Sequence, residues 1–299
     1  MGKLFDGYLV VDWSANSRPK TGADSIWWCH LAWNGDALKP TRIANPATRH
    51  DAYRQLSGIL HRYNSEHKRV LLGMDFSYGY PRGFAQELVA AEQPYWRGVW
   101  RYLYEHVQDA KDNANNRFTV AADINKKISG GCAPFWGCPK AQSSKYLSMH
   151  KPVGKLNNIF PEYRIAEEAN TAQSVWKLLY AGAVGGQVLM GLPYLYQWIT
   201  DDDLAGVSRV WPFDTGLMAL TNAGLEGINI VHAEIYPSLI KVRPRNSQVK
   251  DKLQVESLAK YFAELDAVGK LSQLFAAKRK ITGEQRDIIE NEEGWILGV

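Results

Sequence analysis

Short apolar, β-branched runs alternate along this chain with longer segments of helical spacing. Tyr8-Leu9-Val10-Val11 is such a run, closed by Asp12 and followed at once by Trp13-Ser14-Ala15. It reads as a buried strand with a carboxylate at its tip. Val70-Leu71-Leu72-Gly73-Met74 repeats the pattern and ends in Asp75-Phe76-Ser77. Ile228 to Ala233 repeats it again and delivers Glu234 before Ile235-Tyr236-Pro237. Between the first two runs, Ser25 to Trp33 reads as a strand, Asn34-Gly35-Asp36 as a hairpin turn, and Leu38 to Ala44 as the returning strand. Leu56, Ile59, Leu60 and Tyr63 share one face of a helix over about residues 48–66. The opening order is therefore β-β-β-α-β.

The pattern then loses its regularity. Phe84 to Gln108 has helical spacing, Asp109 to Asn116 is a polar linker, Ser129 to Pro139 is irregular, and Ala166 to Tyr180 is again helical. The block over about residues 80–200 reads as a helical and irregular insertion into a single domain, a natural place for binding groups. Beyond it the spacing predicts a strand from Val207 to Phe213, a short helix from Thr215 to Ala223, and the strand ending near Glu234. Helices follow at about 248–265, 268–278 and 282–292. The fold class is α/β, with three antiparallel N-terminal strands, then β/α units and a helical C-terminal part.

Composition changes this picture little. The 299 residues hold 45% hydrophobic and 22% charged positions, as in ordinary globular proteins. A net charge of +4 suits an anionic substrate without requiring one. No apolar run approaches the roughly 20 residues of a membrane span, and no signal-peptide core is present. Cys29, Cys132 and Cys138 are too few for a disulfide framework, so a cytoplasmic setting is the expectation.

The chemistry lies in the acids. Carboxylates gathered at neighbouring strand ends repel one another unless a divalent cation neutralises them, and oxygen-only donors favour Mg²⁺ or Mn²⁺. Such ions activate water in phosphodiester hydrolysis. Asp12, Asp75 and Glu234 are the candidate ligands, with Ser14 and Ser77 beside them. The plain alternative is that these acids cap turns. Arg164 and the run from Lys241 through Arg243 to Arg245 are candidate phosphate-binding cations near the strand ends.

Three other signals carry less. Asp214-Thr215-Gly216 occurs once, whereas aspartic proteases need two such loops. Cys132 and Cys138 are spaced too widely for a usual zinc knuckle. Gly185-Gly186-Gln187 reads as following a helix rather than opening one, though its glycines admit close backbone approach. Lysines and aromatics interleave over 126–155, as on a nucleic-acid face or a merely solvated one.

Together, Val11-Asp12-Trp13-Ser14-Ala15, Met74-Asp75-Phe76-Ser77, Glu234-Ile235-Tyr236-Pro237 and Glu292-Glu293-Gly294-Trp295-Ile296 resemble the DUF429 family, described as predicted nucleases of ribonuclease H-like fold. The resemblance implies a ribonuclease H-like mixed sheet and a metal-dependent nuclease acting on nucleic acid. It implies Asp12 on the first strand, Asp75 on the fourth and a further acid on a C-terminal helix, for which Asp251, Asp287 and Glu293 compete. Asp251 is the preferred fourth catalytic acid. A nucleotide- or cofactor-binding phosphate-handling enzyme, or a non-catalytic binding module, is the alternative.

Overall fold

The computed structural model describes residues 2–35, 37–90, 94–154, 159–167, 173–180, 182–245 and 248–299. Six strands form one mixed sheet: β1 (Gly7–Asp12), β2 (Trp27–Asn34), β3 (Ala37–Ala44), β4 (Val70–Met74), β5 (Ser208–Val210) and β6 (Ile230–Glu234). Their order across the sheet is β3-β2-β1-β4-β6-β5. β1 pairs antiparallel with β2, and β2 with β3. β1 runs parallel to β4, and β4 and β5 each run parallel to β6. Parallel neighbours put their C-terminal ends on one edge, so Asp12, Asp75 and Glu234 arrive together. Val11 is level with Met74, and Met74 with Glu234.

Strand side chains alternate between faces. Leu9, Val11 and Trp13 of β1 join Val70, Leu72 and Met74 of β4 in one apolar core. That core is covered by helices α1 (Arg49–Ser65), α3 (Tyr95–His106) and α5 (Gly185–Thr200). Tyr8 and Val10, with Leu71, Val231 and Ala233, face the other way onto α6 (Lys250–Ala267). Helices on both faces of a largely parallel sheet make an α/β architecture. No helix among the described residues is long and apolar enough to cross a membrane.

α1 begins where a β-extended Thr48 accepts the N–H of Asp51 through its side chain (3.1 Å). Replacing Thr48 with alanine leaves that donor unpaired. The expected loss is about 1 kcal/mol in denaturant unfolding; an unchanged midpoint would show that the cap contributes nothing.

Several expectations are corrected. The span from Phe84 holds two helices, α2 (Phe84–Val89) and α3, because Ala90 takes a positive φ of 54° and Pro94 starts the second. A further helix, α4 (Arg117–Ser129), follows the polar linker without having been anticipated. Of the helix expected over Ala166 to Tyr180, residues 168–172 lie outside the described residues, and the rest is turns and a bridge from Trp136 to Lys177. Residues 215–223 form turns rather than a helix, and Asp214 turns back to accept the Val210 N–H (2.8 Å). The expected helix over 268–278 is a short 3-10 turn, Leu271–Phe275. The last expected helix is a short α7 (Gly283–Ile288) running into a π turn, Ile289–Glu293. Most consequential, Gly185-Gly186-Gln187 opens α5 instead of closing a helix.

Candidate functional site

Asp12 and Asp75 lie on the same strand parity, two residues beyond Val10 and Gly73, and both carboxylates reach the edge that α6 covers. Their side chains interact directly. Burial raises the Asp12 pKa well above the carboxylate range, and the charges of Asp75 and Asp251 add to it. Burial pushes Asp75 up to about 7, although the Trp13 N–H donates to its Oδ1 at 2.7 Å and holds it down in part. A carboxylate pair that keeps a proton near neutrality is under strong mutual repulsion.

The strand ends are held rigidly. Trp13 is fully buried, its indole N–H donating to Met190 O (3.3 Å), while the Gln187 side-chain amide donates to Trp13 O (2.6 Å). The first turns of α5 thus clamp the residue after Asp12. Gly191 lets α5 sit close, because a Cβ there would lie 2.3 Å from the Phe76 ring. Arg49, fully buried, forks onto Asp109 with two bonds of 2.6 Å and donates to Ser14 O and Asn16 O. The loop carrying Ser14 is therefore tied to the body of the protein. The Ser14 hydroxyl accepts from the Asn16 side-chain amide at 2.7 Å.

Two cavities meet at Asp12 and Gln187. One, of about 460 Å³, is lined by Asp12, Ser14, Ser17, Arg117, Gly186 and Asp251 among others. The other, of about 600 Å³, is lined by Asp75, Ser77, Glu234, Tyr236 and Gln254. Asp251 stands in the first turn of α6, where its Oδ2 accepts the N–H of Asp24 (2.8 Å). Asp12 thus stands where the two cavities meet, with Asp251 and the exposed Asp24 in the wall of the smaller and Asp75 in the wall of the larger.

Glu234 reaches the same edge on the opposite strand parity, level with Met74, and has a different environment. Arg164, fully buried, donates to its two oxygens at 2.5 and 2.7 Å, and the Tyr78 N–H donates at 3.0 Å. Arg164 also grips Glu167 (2.8 Å) and the backbone oxygen of Glu293 (2.9 Å). Burial raises the Glu234 pKa, the Arg164 charge opposes it, and the Glu167 charge adds a smaller rise. Glu234 and Arg164 are thus committed to each other, which leaves neither free for an ion or a phosphate in this arrangement. Glu293 and Glu292 are likewise occupied: they accept the N–H groups of Arg82 and Ile165, and of Gly83 and Ala85. Asp287 holds Asn291 at an exposed position. Lys241, Arg243 and Arg245 are exposed on the segment leading into α6 and line neither cavity.

Sequence reasoning missed Arg117, 5% exposed in the wall of the smaller cavity. Its signal was slight: one arginine after a polar linker. A separate group, His61, Asp201 and Asp203, brings ligand atoms within 4.8 Å of one another beyond the far end of α5, but Asp203 is exposed and His61 and Asp201 partly so. No family model, no curated protein and no solved structure matches this chain.

Proposed function

We propose that this chain is a metal-dependent phosphodiester hydrolase built on a ribonuclease H-like sheet. The observation that carries the reading is the direct interaction of the Asp12 and Asp75 side chains where two cavities meet, with the Asp251 charge acting on both. The strand order, with three antiparallel strands beside parallel β4 and β6, supports it.

The donor set suits a hard divalent cation. It is all oxygen and carries excess negative charge, the combination that Mg²⁺ or Mn²⁺ stabilises. Asp12 and Asp75 would hold the ion, with Asp251 as the acid across the cavity. When bound, such an ion supplies charge neutralisation and makes water a stronger acid. The chain's own contribution is placement. The Trp13 N–H fixes the Asp75 carboxylate, Gln187 fixes the backbone after Asp12, and Arg49 fixes the loop that carries Ser14. Burial keeps these groups poorly hydrated, which strengthens their hold on charge.

The test is cleavage of single-stranded, duplex and hybrid nucleic acids with Mn²⁺, run beside Asp75→Asn. The expected result is Mn²⁺-dependent cleavage that the variant loses. No cleavage of any substrate, or equal cleavage by the variant, would sink the reading. The cavity volume also suits a mononucleotide. Nucleotide stabilisation of the fold without cleavage would therefore favour a small-molecule phosphate-handling enzyme instead.

A further inference from the structure

The wall of the smaller cavity holds a cation, Arg117, that makes no salt bridge with the described residues. Arg117 is 95% buried by its 5% exposure, yet its hydrogen-bonding partners are neutral: Ser17 Oγ and Asn115 Oδ1, each accepting from Nη1 at 2.8 Å. Its Nε–H has no partner at all. Burying a guanidinium without a counter-charge is costly. The cost registers in its acidity, lowered to about 10 by burial and by the Arg49 charge nearby, which the Asp109 charge only partly offsets.

Arg117 forms part of the cavity wall, and its Nε–H is enclosed against the start of α5. A Cβ placed on Gly186 would lie 3.7 Å from it, and 3.3 Å from the Ala15 side chain. No side chain caps α5, whose N-cap is Val184. Gly185 N–H is used by Lys177 O (2.9 Å), and Gly186 and Gln187 line the cavity. A 16-residue helix therefore directs the positive end of its dipole into the cavity beside a buried arginine that has no salt bridge. Glycine is required at this point because a Cβ would press on Leu178 O, 2.8 Å away.

We infer that the cavity between Arg117 and the first turn of α5 is a phosphoryl-oxyanion site, placed so that a phosphate held there lies beside Asp12. The ligand class is a phosphoester whose non-bridging oxygens accept from the Arg117 guanidinium and from helix N–H groups, with Ser17 holding the guanidinium in place. This deepens the hydrolase reading and rests on it for the identity of the substrate. Phosphate binding itself needs neither the metal nor cleavage.

The experiment is calorimetric titration of the full chain with inorganic phosphate in chelator-containing buffer near pH 7.5. Wild type is expected to bind, and Arg117→Gln to bind about tenfold more weakly or worse, the usual worth of a charge-assisted hydrogen bond. Asp12→Asn is expected to bind several-fold more tightly, because it removes a like charge beside the anion. That second variant decides the matter if Arg117→Gln does not fold. Competition then identifies the source: displacement by a dinucleoside monophosphate marks an internal phosphodiester, and displacement by a mononucleotide alone marks a terminal phosphate. Either result supports the site. No binding by wild type at millimolar phosphate overturns it, as does an unchanged affinity in Arg117→Gln or in Asp12→Asn. Failure of Mn²⁺-dependent cleavage with phosphate binding intact would reject the hydrolase reading and leave this site standing.

Discussion

Replacing Arg164 with methionine is expected to destabilise the protein by about 3–5 kcal/mol, the cost of stranding buried charge when one partner of an ion pair is removed. Arg164 is fully buried and neutralises Glu234 and Glu167 at once, while also donating to Glu293 O. Methionine fills much of the volume but supplies no donor. Thermal melts should fall by roughly 10 °C. The deficit should depend on pH. With Arg164 gone, Glu234 takes up a proton in the folded state that it releases on unfolding, so its folded pKa exceeds its unfolded one. Folded protein then binds more protons than unfolded, and stability falls as pH rises through that interval. The variant should therefore be closest to wild type in mild acid and furthest from it above neutrality. Adding Glu234→Gln and Glu167→Gln should restore about half of the loss or more, since the stranded charges go with them. A melting temperature within a degree or two of wild type would show that Arg164 is not the keystone described.

The second large effect is expected at Asp12, where function and stability should move in opposite directions. Asp12→Asn should reduce metal-dependent cleavage by about a hundredfold or more, as loss of a ligand to a catalytic ion does. In metal-free buffer the same variant should be more stable than wild type at pH 7.5, by about 1–3 kcal/mol. The sign follows from the raised pKa values of Asp12 and Asp75. Folded wild type holds a proton that the unfolded chain gives up above the normal carboxylate range. Its stability is greatest in mild acid and falls as pH rises from about 4 towards the Asp75 value of about 7. Asparagine removes the repulsion, and that slope should flatten. Melting curves between pH 5 and 8 with and without Mn²⁺ check both points. A variant less stable than wild type at pH 7.5 would overturn the electrostatic account. Stabilisation of the variant by Mn²⁺ equal to that of wild type would remove Asp12 from the metal site.

Much of the sheet was legible in the chain because strands leave a local signature. β1, β2, β3, α1 and β4 each sit where an apolar run or a helical stripe predicts them. The acids at the strand tips were legible for the same reason. Their partners were not. Arg164 meets Glu234 across 70 residues, and Glu293 meets Ile165 across 128, distances over which no local pattern speaks. One clue was present but unread. Counting by twos from paired positions puts Asp12 and Asp75 on the face of α6, and Glu234, level with Met74, on the other. That parity separates two neighbouring carboxylates from a third whose charge is answered by an arginine. The start of α5 was misread because Gly185-Gly186 is a poor helix former by propensity. Tertiary packing overrode it: a Cβ at Gly185 would lie 2.1 Å from Val175 O, so glycine is the residue that fits there.

The segment between β4 and β5 leaves the sheet at the edge that carries Asp75, returns at the opposite edge where Ser208 is level with Val70, and looks, on a topology diagram, like a detachable cassette. Its electrostatics say otherwise. The sheet and α6 own the negative groups of the site, Asp12, Asp75, Glu234 and Asp251, while this segment owns Arg117 and Arg164. Grafting the sheet onto a different segment would leave the buried Glu234 without its counter-charge, and grafting the segment elsewhere would export a buried guanidinium with Glu167 but without Glu234. The two parts are joined as creditor and debtor in charge. They can diverge in sequence only in step, and a chimera that exchanges one alone should fail at folding before its chemistry can be assayed.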